Sequence, residues 1–283
     1  MPGSATEPMT EQNLDIYSDA LSLGPDGVFV SRLEAGEVHF PEQGHGQLVL
    51  LEDGSFWFRH RNRCIVAAVR NHPPRGPLFD VGGGNGFVSR GLKDAGFEVV
   101  LVEPGPVGCA NARRRGLDLV VRADFGTAGF RAGVLPGVGL FDVLEHVRDD
   151  VGFLRDVARA LAPGGRLYLT VPAYQWLWSE VDAASGHFRR YTRSSLAAAV
   201  ASAGLRVAYG TFFFLPLPPV MLLTRVLRQA LRRQRQDSPD TRSEHSPPGA
   251  RLLEALLGFE CASIARGASL PGGASLLLVA AKD

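Results

Sequence analysis

The run Leu78-Phe79-Asp80-Val81 passes directly into Gly82-Gly83-Gly84-Asn85-Gly86 and then into helix-forming sequence. Glycines at a strand-to-helix junction let backbone approach a ligand without Cβ interference. The dinucleotide fingerprint G-x-G-x-x-G needs a third small residue for helix packing and a surrounding that accepts a pyrophosphate. Counted from Gly82, that third position is Phe87. Asp80 also places a carboxylate beside the loop, which opposes a doubly charged pyrophosphate and favours a cation bearing an ammonium or sulfonium group. Glu103 ends the next apolar run, roughly twenty residues past the loop, where a ribose-binding carboxylate falls in a nucleotide fold. Two acids thereby bracket a nucleoside.

A second set of reactive side chains follows. Glu145, His146, Tyr174, Trp176 and His187 come at the expected carboxyl ends of the fourth and fifth core strands, where open α/β sheets place their ligand crevice. His146 has an intrinsic pKa suited to proton transfer, a helix-capping structural histidine being the alternative. Arg189 and Arg190 offer forked hydrogen bonds to an acidic group; the competing reading is a solvated basic turn in which Tyr191 anchors the next helix.

The elements that must position these residues alternate regularly. β-like runs cover 77–81, 98–103, 118–122, 138–144, 166–171, 206–213 and 275–281, and helical stretches cover 87–95, 107–115, 149–161, 194–203 and 251–266. That alternation predicts a mainly parallel sheet with crossover helices. Gly96, Gly116, Gly164 and Gly204 stand where helix C-caps are expected. Upstream, residues 1–12 read as a frayed terminus and 13–76 as an extension of short elements ending in a helix from Phe56 to about His72, stopped by Pro73-Pro74. Residues 215–249 read as an insertion between the core (77–214) and its last helix and strand (250–283). Within it Val220, Leu223, Leu227 and Leu231 recur at helical spacing among Arg225, Arg228, Arg232, Arg233 and Arg235. Such a cationic stripe over 219–235 suits an active-site lid, a homodimer contact or a peripheral membrane contact.

With 283 residues the chain can bury a sizeable core, and a net charge of +1 with 21% charged residues gives no global reason for a nucleic-acid partner. Cys64, Cys109 and Cys261 lie far apart without C-x-x-C spacing, so no disulfide framework is expected and a reducing cytoplasm fits. No signal peptide is expected from the polar start, and Pro216, Pro218 and Pro219 interrupt the longest uncharged run.

Asp80, Gly82, Gly84 and Gly86, then Glu103, then Asp124 after the third core strand, resemble class I S-adenosylmethionine-dependent methyltransferases over about residues 77–171. FDVLEHV at 141–147, LAPGGRLYLTVPA at 161–173 and a closing LLLVAA add to the likeness. The resemblance implies S-adenosyl-L-methionine as cofactor, with the glycines cradling its methionine part, Glu103 on both ribose hydroxyls and Asp124 at the adenine amine. The motif Gly186-His187-Phe188-Arg189-Arg190-Tyr191-Thr192 is similar to a subgroup related to the ubiquinone-biosynthesis O-methyltransferases. That likeness implies His187 as catalytic base beside His146, with Tyr174, Trp176, Arg189, Arg190 and Tyr191 toward the substrate. FWFRHRNR resembles the cover helix of the same subgroup, in which Arg59, Arg61 or Arg63 meets the methionine carboxylate, Arg63 being the one named. A plain amphipathic docking helix is the alternative.

Asp142, Glu145 and His146 match the acid-x-x-E-H spacing that holds a divalent metal in some ubiquinone-pathway and RNA 2′-O methyltransferases. Asp142 has a shorter reach than the usual Glu and no fourth ligand is evident, so no metal is assigned. The expectation is therefore an α/β, Rossmann-like, seven-stranded mainly parallel sheet with an antiparallel last strand, an N-terminal helical cover and a cap-like insertion. Its reaction would be methyl transfer to a small-molecule acceptor, most simply at oxygen. The rivals are an NAD-dependent oxidoreductase and a regulatory protein that binds the cofactor without turnover.

Overall fold

A computed structural model describes residues 11–33, 52–218 and 250–283. Residues 1–10 of the terminus expected to fray (1–12), residues 34–51 of the expected N-terminal extension, and residues 219–249, with the stripe at 219–235 expected to make a contact, lie outside the described residues. Strands β1 (Leu21–Leu23), β2 (Phe29–Ser31), β3 (Leu78–Val81), β4 (Val99–Val102), β5 (Val120–Arg122), β6 (Leu135–Phe141), β7 (Leu161–Pro172), β8 (Arg206–Phe213) and β9 (Ser275–Ala281) form one sheet. Their spatial order is β1-β2-β5-β4-β3-β6-β7-β9-β8. β3 pairs in parallel with β4 on one side and β6 on the other, while β9 runs antiparallel between β7 and β8.

Seven of these strands are the expected core, and the last is antiparallel as expected. The other two, β1 and β2, are an unforeseen antiparallel hairpin from the N-terminal extension, and β2 adds to the β5 edge in parallel. Three-residue strands are too short to show a period of two.

The helices are α1 (Phe56–Asn71), α2 (Phe87–Asp94), α3 (Pro106–Arg114), α4 (Asp150–Ala160), α5 (Glu180–Ala184), α6 (Arg193–Ser202) and α7 (Ala250–Ala265). Helix α1 starts where the Ser55 side chain accepts from the Trp57 N–H at 3.2 Å, and it ends just before Pro73-Pro74. Gly96, Gly116 and Gly204 follow helices with positive φ, as expected of C-caps. Gly164 instead turns the chain within the β7 segment, its N–H donating to the Lys282 carbonyl.

Strand β3 is buried along its whole length, and its alternation decides what lies where. Phe79 and Val81 join a core with Val138, Leu140, Leu154 and Leu196, under α4 and α6. Leu78 joins the opposite core with Ile65, Val88, Tyr168 and Val279, under α1, α2 and α7. Asp80 shares the Leu78 face, so a carboxylate ends an otherwise apolar surface. The sheet reverses its strand order at β3 and β6, the point where a crevice opens at the carboxyl ends. There β6 stops at Phe141 rather than at Leu144, because Asp142, at φ 58°, turns the chain out of the sheet.

Candidate active site

At the end of β3 the chain turns through left-handed conformations at Gly82, Gly84 and Gly86, with φ of 69°, 55° and 78°. A Cβ at Gly83 would lie 3.0 Å from Asp80 Oδ2 and 2.8 Å from Leu101 Cδ1, so the turn can wrap the carboxylate only without a side chain. Ser89 Oγ, on the first turn of α2, donates to Asp80 Oδ2 at 2.6 Å. Asp80 Oδ1 is buried with no hydrogen-bond partner among the described residues. Burial pushes this carboxyl up to about 6, against the opposing pull of the Ser89 hydrogen bond and the Arg61 charge. An orphaned, buried acceptor at a Cβ-free turn fits a cationic group, as S-adenosylmethionine carries.

Glu103 follows β4 and is buried. Its Oε2 accepts the Gly84 N–H at 2.9 Å and its Oε1 accepts the Gly105 N–H at 2.8 Å, so the glycine turn itself orients the second acid. Asp124 follows β5, where its Oδ1 accepts the Thr127 N–H at 2.8 Å. It borders a cavity of about 330 Å³ walled by Val30, Leu33, Pro104, Pro106 and Thr127. Val30 belongs to the unforeseen hairpin, which thus supplies one wall of that cavity.

Beyond β6 and β7 the two histidines come together. The His146 and His187 rings meet edge to face with centroids 4.7 Å apart. Burial, and then the neighbouring His187, hold His146 down at about 4, so it is neutral at neutral pH. His187 Nδ1 lies 2.9 Å from Asp182 Oδ1, and a carboxylate at Nδ1 places the free lone pair on Nε2. Asp182 is the central acid of this region and was missed in the sequence. It is 1% exposed and receives Arg190 Nε at 2.7 Å and Arg190 Nη2 at 2.9 Å. Ser179 adds its N–H and hydroxyl to the same carboxylate. Despite burial, these donors hold Asp182 down at about 2. The local signal was S-x-x-D at Ser179–Asp182, a capping box that opens the short helix α5.

Glu145 sits in the same place, 1% exposed, with Oε2 lacking a hydrogen-bond partner among the described residues. Burial and then the Asp142 charge push it well above the carboxylate range. Asp142 itself turns toward α1, where its Oδ2 lies 2.7 Å from Arg61 Nε and its Oδ1 accepts from the Thr170 hydroxyl at 2.9 Å. The acid-x-x-E-H set is therefore divided: Glu145, His146 and His187 offer ligand atoms within 4.8 Å of one another, and Asp142 is taken by an arginine.

Arg63, Arg189, Arg190 and Tyr191 take places other than those expected. Arg63 lines an open groove of about 820 Å³ between α1, α2 and α7, together with Arg59, Asn62 and Cys261, and none of Asp80, Glu103 or Asp124 borders it. Arg61 reaches the crevice instead, because two residues along a helix are about 200° apart around its axis. Arg189 Nη1 pairs with Asp150 Oδ2 at 2.8 Å and Arg190 with Asp182, so both forks clamp the His187 loop rather than face a ligand. Tyr191 is 3% exposed and donates to Asp150 Oδ2 at 2.8 Å, an anchor rather than a substrate surface. Tyr174 and Trp176 do form an aromatic wall: Tyr174 stacks on Trp176 at 5.5 Å and on Phe212 at 5.3 Å. Phe212, on β8, had no sequence signal beyond its apolar run.

A family model described as a methyltransferase domain matches residues 55–209, just over half of the chain. A ubiquinone biosynthesis O-methyltransferase of Xanthomonas oryzae pv. oryzae (strain PXO99A) is 32% identical over 99 residues, 33% of this chain and 41% of that protein. The chain thus spans less than half the length of the curated relatives it matches. The fold resembles that of a S-adenosylmethionine-dependent methyltransferase from Thermotoga maritima, with a TM-score of 0.54 and 16% identity over 86% of this chain and 100% of that one. It equally resembles Haemonchus contortus phosphoethanolamine N-methyltransferase 2 solved with S-adenosyl-L-methionine, with a TM-score of 0.54 and 17% identity over 86% of this chain and 57% of that one. No helix among the described residues is long and apolar enough to cross a membrane. The family match runs from α1 into β8 and so contains both the glycine turn with its orphaned carboxylate and the histidine pair. The chain belongs to the methyltransferase domain family.

Proposed function

We propose that this methyltransferase acts on a hydroxyl oxygen of a small acceptor, with His187 as the general base. The observation that carries this reading is the Asp182–His187 pair, which fixes an imidazole with its free nitrogen at the carboxyl-end crevice. A neutral hydroxyl must lose a proton as its oxygen attacks, and a positioned histidine supplies that step. Asp182 accepts from Nδ1, holds the ring orientation and stabilises the imidazolium that forms, while Arg190 and Ser179 keep that carboxylate ionised. Neutral His146 packs against the ring and restricts its rotation. The Tyr174–Trp176–Phe212 stack orients a flat acceptor by offset ring contacts.

On the donor side, Asp80 and the glycines would hold the methionine part of S-adenosylmethionine, Glu103 the ribose and Asp124 the adenine. When bound, the cofactor supplies an activated methyl group on a sulfonium. Arg61 would face the same crevice through Asp142. The relative named as a ubiquinone biosynthesis O-methyltransferase supports oxygen as the atom methylated. The test is incubation with methyl-labelled S-adenosylmethionine and a panel of phenols, catechols, amines and carboxylates. Label is expected in ether products that resist mild base; label confined to amines or to base-labile esters contradicts the reading.

A further inference from the structure

On the other face of α1, four polar groups converge that the sequence separates by almost 200 residues. His60 and Cys64 stand one helical turn apart on α1, and Glu260 and Cys261 are adjacent on α7. Cys64 Sγ lies 3.8 Å from Cys261 Sγ and 3.4 Å from His60 Nε2, and His60 Nε2 lies 2.8 Å from Glu260 Oε2. His60, Cys64 and Glu260 are at most 4% exposed, whereas Cys261 borders the groove that holds Arg63.

The geometry separates three uses of such a cluster. A Cys–His–Glu relay needs thiol and carboxylate on opposite ring nitrogens; here both face Nε2. A disulfide would require the sulfurs to close to about 2.05 Å and would leave the histidine and glutamate without a part in it. Two sulfurs and an imidazole nitrogen, with ligand atoms all within 4.8 Å of one another, offer three corners of a tetrahedral metal site. With zinc–sulfur and zinc–nitrogen bonds of about 2.3 and 2.05 Å, a tetrahedron has sulfur–sulfur edges of about 3.8 Å and sulfur–nitrogen edges of about 3.5 Å. The Cys64–Cys261 and Cys64–His60 separations, 3.8 and 3.4 Å, match them.

The surroundings suit an ion as well. Glu260 is held by the Phe214 N–H on Oε2 at 2.8 Å and the Leu215 N–H on Oε1 at 2.6 Å, which fixes a carboxylate beside His60 as an outer partner of the site. The open groove beside Cys261 gives an entry path. We propose that His60, Cys64 and Cys261 bind one zinc ion that ties the cover helix α1 to α7. Binding displaces both thiol protons to solvent and takes the imidazole in its neutral form. The site has no local signature because its ligands come as H-x-x-x-C and a distant single cysteine rather than as C-x-x-C pairs.

The test uses the full chain, reduced, stripped with a chelator and titrated with Co²⁺. One equivalent is expected to bind, with thiolate-to-metal charge-transfer absorption and the visible bands of tetrahedral Co²⁺, both abolished by added Zn²⁺. Zinc should raise the melting temperature of the stripped protein. Cys261→Ser, at a partly exposed position, should lower the charge-transfer intensity and weaken zinc binding by about 100-fold or more, exceeding the effect of losing an outer contact. A wild-type spectrum without thiolate–Co²⁺ absorption overturns the proposal, as does equal zinc affinity in wild type and Cys261→Ser. So does a Cys64–Cys261 disulfide that forms while no metal is taken up. The wild-type spectrum decides the matter even where a variant folds poorly.

Discussion

Replacing His187 with alanine is expected to lower kcat by about 10²–10⁴-fold, the usual contribution of a positioned general base, while cofactor affinity at neutral pH stays within about twofold because no donor-side residue is touched. His187 packs on His146 and accepts its orientation from Asp182, so a structural role must be distinguished from a chemical one. Two readouts do so. Added imidazole should restore part of the His187→Ala rate, and the rate limb that rises with pH in the wild type should be absent from the variant. Asp182→Asn should lower kcat while retaining that limb, since the base survives and only its orientation and imidazolium stabilisation are weakened. An unchanged turnover in His187→Ala would remove the base assignment outright.

The second large effect concerns Asp80. Its carboxyl is pushed up to about 6 by burial, so in the unliganded protein it takes up a proton just below neutrality. A cationic ligand binds the ionised form, so affinity for S-adenosylmethionine should fall by about tenfold for each pH unit below about 6. Asp80→Asn should bind weakly at neutral pH and lose that slope. Stability moves the other way. A folded pKa above the ordinary value of 3.8 stabilises the chain fully below 3.8, and this contribution is lost as pH rises through about 6. The loss is about 3 kcal/mol, and Asp80→Asn should recover up to that much in urea unfolding of the unliganded protein at neutral pH. Saturating cofactor should then stabilise wild type more than the variant. Equal cofactor affinity of the two proteins across this pH range would show that Asp80 does not meet the cation.

Much of this arrangement is legible in the chain because backbone chemistry writes it locally. The glycine turn requires conformations that side chains disfavour, Asp80 interrupts a buried run, and β8 and β9 have the bounds that their apolar runs predict. The histidine pair was named, but not the acid that orients it. Asp182 reads as a helix-capping residue, and its burial arises only when Arg190 folds back over it. Arg61 and Arg63 are equivalent in composition, and only the facing of α1 against the sheet decides between them. The forks of Arg189 and Arg190 looked available because their partners, Asp150 and Asp182, lie on other elements. Cys64 and Cys261 illustrate the same limit most fully, since contacts at such sequence separation leave no local pattern. The β1–β2 hairpin was missed for a different reason, having too few residues to display alternation.

We propose that Asp80 and the His146–His187 pair flank the place of the acceptor oxygen from opposite sides. A crystal structure with S-adenosylhomocysteine tests this most directly. The ammonium of the ligand is expected within hydrogen-bond distance of Asp80 Oδ1, the ribose hydroxyls on Glu103, and the sulfur turned toward His187 with room between them for one acceptor atom. A sulfur turned away from the His146–His187 pair, or a ligand seated in the groove at Arg63, would contradict it.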